Sequence, residues 1–374
     1  MELDNEIRRH IYTIPPLVRS AYGDIQSDCR STVEKFSNRA VRQVILTGCG
    51  YSYAACLSAK DYIQARTHLP VTVLPTIEVA RFSDLSGDSL SDTLLVAISN
   101  SGMVSRVNEA LAVYEKHGAI TLGITSNQTA QIAQYCRYLL PVRIPPMERP
   151  LPLRGYALTE LALMSLGDAL ALERGTAAPC EIDRAGEQML HSMEELEASL
   201  PAIDRVVRDY ALRCGEFEAF EFIGSGYERG PAFLGKIEMM GQAGVMATDE
   251  DAEQWLHCNF FLAAPEQIGT MLFFAAGSRA SSRTAEALEY MEHLKRPVCV
   301  VTDGSVKAGG GTAAVVFVPA LSHLNAGIVE MVPPSLLAGY LCQLRGEVYS
   351  RGFRDQWAIF RDGCGTTKSR LVIE

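Results

Sequence analysis

The stretch Val44-Ile-Leu-Thr-Gly-Cys-Gly-Tyr51 decides the fold, because it recurs later in the chain as Glu221-Phe-Ile-Gly-Ser-Gly-Tyr227. The two glycines and the tyrosine match at an offset of 176 residues. Further segments repeat at nearly the same offset: Leu94–Ile98 with residues 272–276, Ser105-Arg106 with Ser282-Arg283, Glu109–Leu111 with Glu286–Leu288, and Gly123–Thr125 with Val300–Thr302. Several matches at one spacing indicate a tandem duplication of a single α/β unit.

Each copy alternates short apolar runs with helical segments. In the first copy the pattern predicts strands at residues 43–47, 71–75, 94–98, 120–124 and 138–141, with helices at 52–65, 104–116 and 130–135. Continuous apolar strands separated by helices are typical of a parallel sheet covered on both faces. The hairpin turns of an antiparallel α+β domain are missing. We therefore predict an α/β protein with two tandem doubly wound parallel-sheet units, flanking helices and a C-terminal tail.

The two copies and their flanks divide the chain into five predicted parts. They are a helical leader (1–38), the first copy (39–175), a helical linker (176–215), the second copy (216–345) and a C-terminal tail (346–374). Within the first copy, Tyr156–Leu172 is apolar nearly all round. We expect that helix to pack inside the protein or at a subunit interface.

Composition excludes several classes of protein. The chain has 374 residues and a formal net charge of −10, without a lysine or arginine cluster, so we expect no nucleic-acid partner and no membrane surface. The longest uncharged stretch, residues 308–329, contains three consecutive glycines and a proline, and makes a poor membrane helix. No apolar signal core opens the sequence, and the 10 cysteines form no C-x-x-C pair. This pattern favours reduced thiols in a cytoplasmic protein and no structural zinc.

Two loops rich in small residues follow predicted strands of the first copy: Gly48–Ser52 and Ser99–Gly102. Such loops lead into helix N-termini, where free backbone N–H groups and serine hydroxyls hold a phosphate without lysine or arginine. One loop alone would fit equally well a serine that only caps its helix. Two such loops in the same copy favour phosphate binding over helix capping. The spacing gives neither a P-loop nor G-x-G-x-x-G, since Tyr53 stands at the third glycine position, and nucleotide binding is not indicated.

The second copy differs at the phosphate-binding positions. In the sequence alignment Glu228 corresponds to Ser52, and Ala276 corresponds to Ser99. A carboxylate at a phosphate-binding position would repel the dianion. We therefore expect one anion site in each chain, in the first copy.

With its G-C-G-Y-S-Y and S-N-S-G motifs and its degenerate second copy, the chain resembles the tandem SIS (sugar isomerase) family over residues 39–374. It is similar to the isomerase half of glucosamine-6-phosphate synthase and to the deglycases of fructosamine 6-phosphates. The resemblance implies a homodimer, a phosphorylated sugar or amino sugar as ligand, no metal and no cofactor. It places the ligand on the two loops, whose candidate residues are Gly50, Tyr51, Ser52, Ser99, Asn100, Ser101 and Gly102. The family threonine is replaced by Val104, so Ser105 becomes a further candidate.

The resemblance also implies catalytic residues. The family histidine corresponds to His257, which reaches the sugar of the neighbouring subunit and assists ring opening. The family glutamate, 16 residues earlier, corresponds to Gly241, and Glu238 lies one helical turn before it. Other candidate carboxylates are Asp249, Glu250, Asp251 and Glu253. Near the C-terminus, Lys368 matches a family lysine that projects into the sugar site. Its amine would form a Schiff base if burial lowered its pKa, whereas a solvated basic tail is the alternative.

Together these features predict a cytoplasmic phosphosugar isomerase or deglycase. Its substrate would be a ketose 6-phosphate, a fructosamine 6-phosphate or an amino-sugar phosphate, and its reaction a proton transfer between C1 and C2. The alternative is a sugar-phosphate sensor or regulatory protein that binds without turnover, which Gly241 at the glutamate position favours.

Overall fold

A computed structural model of the chain describes residues 4–85, 90–148, 151–304, 313–347, 349, 351, 356–357 and 365–373. The chain divides into two compact units. The first unit comprises Val18–Glu187 together with Gly352–Glu374. The second unit comprises Met1–Leu17 together with Gln188–Arg351.

The leader of the sequence analysis forms two helices, α1 (Glu6–Tyr12) and α2 (Ile14–Glu34). Pro15 and Pro16 lie in the first turn of α2. A proline is tolerated there, because the first N–H groups of a helix have no intrahelical acceptor. The two prolines therefore begin a helix rather than interrupt one.

The first unit contains one five-stranded parallel sheet and helices. In chain order its elements are β1 (Gln43–Gly48), α3 (Tyr51–Thr67), β2 (Val71–Val73), α4 (Thr76–Arg81), β3 (Thr93–Ile98), α5 (Ser105–Lys116), β4 (Ile120–Thr125), β5 (Tyr138–Pro141) and α6 (Pro152–Arg174). The strand order is β2-β1-β3-β4-β5, and every pairing is parallel. Every residue of β3 and β4 is buried, as expected of central strands covered on both faces.

Helices of the first unit pack in two pairs, α3 with α6 and α4 with α5. One core cluster joins α4 and α5 to β3 through Val79, Leu95, Val107 and Leu111. α6 is buried over Leu153–Ala171, which confirms that this apolar helix packs inside the protein.

The predicted linker is largely one helix, α7 (Pro179–Arg213), and the second unit then repeats the fold. Its further elements are β6 (Ala219–Ile223), α8 (Arg229–Glu238), β7 (Met246–Glu250), α9 (Ala252–His257), β8 (Ile268–Phe273), α10 (Ser281–His293), β9 (Val298–Thr302), β10 (Ala314–Phe317), α11 (Ala326–Val329) and α12 (Val332–Leu344). The strand order β7-β6-β8-β9-β10 repeats that of the first unit, again with all pairings parallel. Two parallel sheets of the same order confirm the predicted fold class.

Strand register corrects one correspondence between the copies. In the first unit the N–H of Ser99 donates to Ile124 O at 3.0 Å, and in the second the N–H of Phe274 donates to Val301 O at 2.8 Å. Ser99 therefore corresponds to Phe274, not to Ala276. The offset between corresponding residues is 176 at β1, 175 at β3 and 177 at β4. A nearly constant offset along the sequence therefore did not indicate the change at β3. Ser52 and Glu228 keep their correspondence, four residues after Gly48 and Gly224.

The described residues contain neither a membrane-spanning helix nor a metal-binding cluster. No helix among them is long and apolar enough to cross a membrane. Nor do they contain a cluster of three or more histidine, cysteine or acidic side chains that could hold a metal ion.

Candidate functional site

A cavity of about 290 Å³ lies in the first unit at the carboxyl ends of β1 and β3. Strand order reverses between these two strands, and open α/β sheets bind ligands at such a switch point. The lining residues come from the two small-residue loops, the start of α5 and one face of α6: Cys49, Tyr51, Ser52, Ile98, Ser99, Asn100, Ser101, Val104, Pro152, Gly155, Tyr156 and Thr159. None of these residues is charged, so the cavity offers neutral donors only.

Most of the predicted phosphate residues meet in this cavity. Tyr51, Ser52, Ser99, Asn100 and Ser101 all line it. The structure thus brings the two loops together, as the sequence analysis expected of adjacent parallel strands.

The other three candidates, two loop glycines and Ser105, do not line the cavity. Gly50 and Gly102 shape the loops instead, with φ angles of 57° and 67°. A Cβ on Gly102 would lie 2.5 Å from the Cβ of Ala130, so only glycine fits there. Ser105 is the first residue of α5, and its N–H donates to Thr366 O at 2.9 Å.

Ser99 carries the clearest sign of a ligand site. The residue is only 2% exposed, and its Oγ has no hydrogen-bond partner within the described part of the chain. A buried hydroxyl without a partner costs roughly 1–3 kcal/mol, and most such groups in native proteins are satisfied. The Ser99 backbone is fixed on β4 through Ile124 O. A fixed, uncommitted donor at a switch point is suited to an oxyanion oxygen.

Ser101 does not cap α5, whose N-cap is Val104 without a side-chain cap hydrogen bond. Its Oγ accepts the N–H of Met103 at 3.3 Å, which stabilises the turn before α5. Because a hydroxyl can accept one hydrogen bond and still donate another, the same side chain retains an O–H for a ligand.

The sequence analysis missed the wall formed by α6. Gly155 permits a close approach there, since a Cβ at this position would lie 2.5 Å from Nδ2 of Asn100. Tyr156 and Thr159 line the cavity from the same helix. A glycine within an otherwise bulky apolar helix was the only signal in the sequence, and burial alone would account for the rest of that pattern.

Glu160 lies directly behind this wall and is fully buried. Burial raises its pKa to about 8, while the hydroxyl groups of Tyr156 and Ser58 act in the opposite direction; neither carboxyl oxygen has a hydrogen-bond partner within the described residues. The carboxyl group is therefore mainly protonated at neutral pH and adds no negative charge near the phosphate loops.

The C-terminal tail binds to α5 of the first unit. Val372 N–H donates to Oε2 of Glu109 at 2.8 Å, and Arg106 Nη2 donates to Ser369 Oγ at 3.2 Å. Lys368, directly before Ser369, has an exposed side chain. The burial on which a Schiff-base role depends is therefore not present.

The remaining catalytic candidates lie in the second unit. His257 ends α9, is largely exposed, and its Nε2 lies 2.9 Å from Oε1 of Glu253. Arg283 binds the same carboxylate at 2.6 Å and lowers the pKa of Glu253 more than His257 does. Glu238 is fully buried at the end of α8. Gly241 is exposed, with open space around the position of a Cβ.

A larger cavity of about 520 Å³ lies at the opposite edge of the first sheet, near the amino ends of β1 and β2. Two of its arginines already bind backbone: Arg174 Nη1 donates to Val41 O at 2.8 Å, and Arg39 Nη2 donates to Gly118 O at 2.9 Å. By volume alone, this larger cavity would be the better candidate for a ligand site. The uncommitted Ser99 hydroxyl and the switch-point position favour the smaller one.

Comparison with known proteins gives related sequences and folds. Residues 39–173 match the family model of the SIS domain. Over 312 residues the chain is 26% identical to glutamine–fructose-6-phosphate aminotransferase (isomerizing) of Mycobacterium leprae, a match that covers 82% of this chain and 49% of that protein. The chain thus spans about half the length of the curated relatives that it matches.

Two solved structures share the fold of the chain. The C-terminal domain of glucosamine-fructose-6-phosphate aminotransferase from Francisella tularensis superposes with a TM-score of 0.81 at 16% identity, covering 92% of this chain and 97% of that one. Tagatose-6-phosphate ketose/aldose isomerase from Escherichia coli gives a TM-score of 0.72 at 14% identity, covering 93% and 97%. Residues 39–173 of this chain thus match the SIS domain model, and a second unit with the same parallel strand order follows them.

Proposed function

We propose that this chain is a sugar-phosphate isomerase whose first unit binds the phosphate of an open-chain ketose or amino-sugar phosphate. The buried, unpartnered Ser99 hydroxyl at the switch-point cavity carries this proposal. The M. leprae relative, named for an isomerizing reaction on fructose 6-phosphate, supports the same substrate class.

Neutral groups supply the binding energy for the phosphate. α3 begins at Tyr51, so the partial positive charge of its N-terminus and the Ser52 hydroxyl lie beside the first loop, whereas the N–H groups of Ser52 and Tyr53 already donate to Cys49 O and Gly50 O. Hydroxyl donors from Ser99 and Ser101 complete the set. Hydrogen bonds to a charged group contribute about 1.5–3 kcal/mol each, so a few suffice without lysine or arginine.

The proposed reaction moves a proton between C1 and C2 of the open-chain sugar. His257 would open the ring or shuttle the proton, reaching the site of a second subunit in a homodimer. Glu238 is the proposed base, and Lys368 would close over or condense with the carbonyl. With a fructosamine 6-phosphate, the same proton transfer would give an aldose imine, and its hydrolysis by water would release the amine and an aldose 6-phosphate, as in a deglycase.

Binding without turnover is the second candidate function. Gly241 in place of the family glutamate, the complete burial of Glu238 and the exposure of Lys368 favour it. Under this alternative the first unit keeps its phosphate site, and the chain acts as a sugar-phosphate sensor.

Solvent-hydrogen exchange separates the two functions. The protein is incubated in D₂O with fructose 6-phosphate, glucosamine 6-phosphate and a fructosamine 6-phosphate, while NMR follows the C1 and C2 protons and a coupled assay follows amine release. Enzyme-dependent deuterium incorporation or sugar interconversion supports the isomerase. Saturable binding by calorimetry without exchange, interconversion or amine release supports the sensor. Absence of binding to every sugar phosphate contradicts both.

A further inference from the structure

Glu228 of the second unit occupies the position that Ser52 holds in the first, at the start of the helix after the first strand. The register of the strands also makes Ala275 the counterpart of Asn100. Ser52 and Asn100 belong to the two loops that face each other across the cavity of the first unit. Their counterparts therefore mark the corresponding point of the second unit.

The side chain of Glu228 joins these two loops of the second unit. It is fully buried, and its Oε1 accepts the N–H of Ala275 at 2.7 Å. The backbone of Ser225, in the loop after β6, also acts on this carboxyl group and lowers its pKa, whereas Oε2 has no hydrogen-bond partner within the described residues. A carboxyl oxygen thus accepts from the amide of Ala275, whose counterpart Asn100 lines the cavity of the first unit.

The surroundings of Glu228 are unsuited to a second dianion. Asp303 follows β9 at the position that Ser126 holds after β4, and α11, directly before Glu330, packs against the turn that carries Glu228. Glu330 is fully buried, and neither of its carboxyl oxygens has a hydrogen-bond partner within the described part of the chain. The neighbouring cation, Arg229, is engaged by Asp249 at 3.0 Å and by Glu250 at 3.7 Å.

Burial raises the pKa of Glu228 to about 7, and the charge of Asp303 acts in the same direction. The backbone groups of Ala275 and Ser225 lower this pKa and so act against the shift. Burial together with the charges of Glu228 and Asp303 raises the pKa of Glu330 well above its ordinary value. The carboxyl groups share this pocket at neutral pH because part of the set is protonated.

We propose that the second unit retains an oxyanion-binding site at the loops after β6 and β8, here called the cradle, and that the carboxyl group of Glu228 fills it as an internal ligand. The comparison with the first unit rests on the phosphate site proposed above, but the contacts of Glu228 do not. The cradle takes a group of carboxylate size and chemistry, and its acidic neighbours exclude a phosphate ester. One sugar phosphate per chain follows from this arrangement.

Chemical rescue by formate tests the proposal, because formate has the size and the carboxyl chemistry of the deleted group. At pH 6, Glu228→Ala leaves the Ala275 N–H without its acceptor, and we expect the melting temperature to fall by roughly 3–10 °C. Sodium formate should restore it in a saturable manner, whereas sodium chloride at the same ionic strength should not. The parent protein and Glu286→Ala, which removes an exposed carboxylate of the same unit, should show no saturable response to formate.

Glu228→Gln provides a second, independent variant that keeps an acceptor for Ala275 and removes the charge. It should match the parent near pH 6 and melt at a higher temperature than the parent at pH 8.5, since repulsion from Asp303 and Glu330 is relieved. The proposal is overturned if Glu228→Ala is as stable as the parent at pH 6, or if no formate concentration stabilises it. A Glu228→Gln protein less stable than the parent at pH 8.5 overturns it as well. These readouts involve no sugar, so a failure of sugar-phosphate binding in the first unit would leave them unchanged.

Discussion

The backbone N–H of Val372 donates to Oε2 of Glu109 at 2.8 Å, across 263 positions of sequence. Glu109 is fully buried in α5 and also binds Arg81 Nε at 2.7 Å and Arg106 Nη1 at 2.5 Å. Arg81 and Arg106 in turn donate to the carbonyl oxygen of Arg370. One buried carboxylate thus holds two arginines and the C-terminal tail on the first unit.

Glu109→Gln should loosen the tail. The amide side chain keeps an acceptor but removes the charge that pairs with both arginines, and hydrogen bonds to charged groups are the stronger ones. We expect amide hydrogen exchange in the peptide that contains Val372 to accelerate by roughly 10-fold or more. The control is Glu115→Gln in the same helix, whose carboxylate pairs with Arg137 instead of the tail. Equal protection of Val372 in the parent and in Glu109→Gln would contradict this role.

Gly155→Ala should damage the cavity and spare the fold. The new methyl group would lie 2.5 Å from Nδ2 of Asn100, a flexible terminal atom that can move aside at the expense of its place in the cavity. We expect sugar-phosphate affinity to fall roughly 5–30-fold, the loss of about one hydrogen bond. Gly23→Ala, with no atom within 4 Å of the new methyl group, serves as the control. Calorimetric affinity unchanged by Gly155→Ala would remove Asn100 from the site.

Glu160 should make the stability of the protein depend on pH. Its folded-state pKa of about 8 lies above the ordinary value of 4.5. The protonated form is therefore favoured in the folded state, so its contribution is full below pH 4.5 and is lost as the pH rises towards 8. Glu160→Gln cannot lose a proton, and we expect it to exceed the parent in stability at pH 9 by on the order of 3 kcal/mol.

Urea unfolding at several pH values measures the effect of Glu160. The difference between Glu160→Gln and the parent should grow steadily from pH 5 to pH 9. Glu173→Gln, an exposed position of the same helix, should give a difference independent of pH. A constant difference for Glu160→Gln would show that this carboxyl group does not titrate in that range.

His257→Asn tests the proposed proton shuttle. We expect turnover to fall by roughly 10²–10⁴-fold, the usual contribution of a general acid or base, with sugar-phosphate affinity nearly unchanged. His191→Asn is the matched control, because His191 is also exposed on a helix and lies 3.5 Å from a glutamate four residues later. Turnover equal to that of the parent would exclude His257 from the reaction.

The fold and the position of the two small-residue loops were predictable because their signals are local. The parallel sheets follow from apolar runs such as Thr93–Ile98, and the cavity loops follow directly on those strands. Small residues after buried strands leave few alternatives for the backbone. Five of the predicted loop residues accordingly meet in one cavity.

Long-range contacts were not predictable from the pattern. Burial accounts for the apolar character of α6 on every side, so the sequence could not indicate that Gly155 and Tyr156 face the cavity. Nothing near Glu109 in the sequence predicts that it binds Val372. The predicted correspondence of Ser99 with Ala276 was wrong. Relative to the first unit, the second unit is one residue shorter before β8 and two residues longer between β8 and β9, so the sequence offset stays nearly the same.

Titration of the parent protein with fructose 6-phosphate, beside the Ser99→Ala/Ser101→Ala protein, tests the central claim most directly. Loss of two donors to a charged group should weaken binding at least roughly 100-fold. Free fructose should bind neither protein measurably, and Ser31→Ala, an exposed serine of the same unit, should bind like the parent. Equal affinity of the parent and the double variant for fructose 6-phosphate would contradict the claim that these loops hold the phosphate.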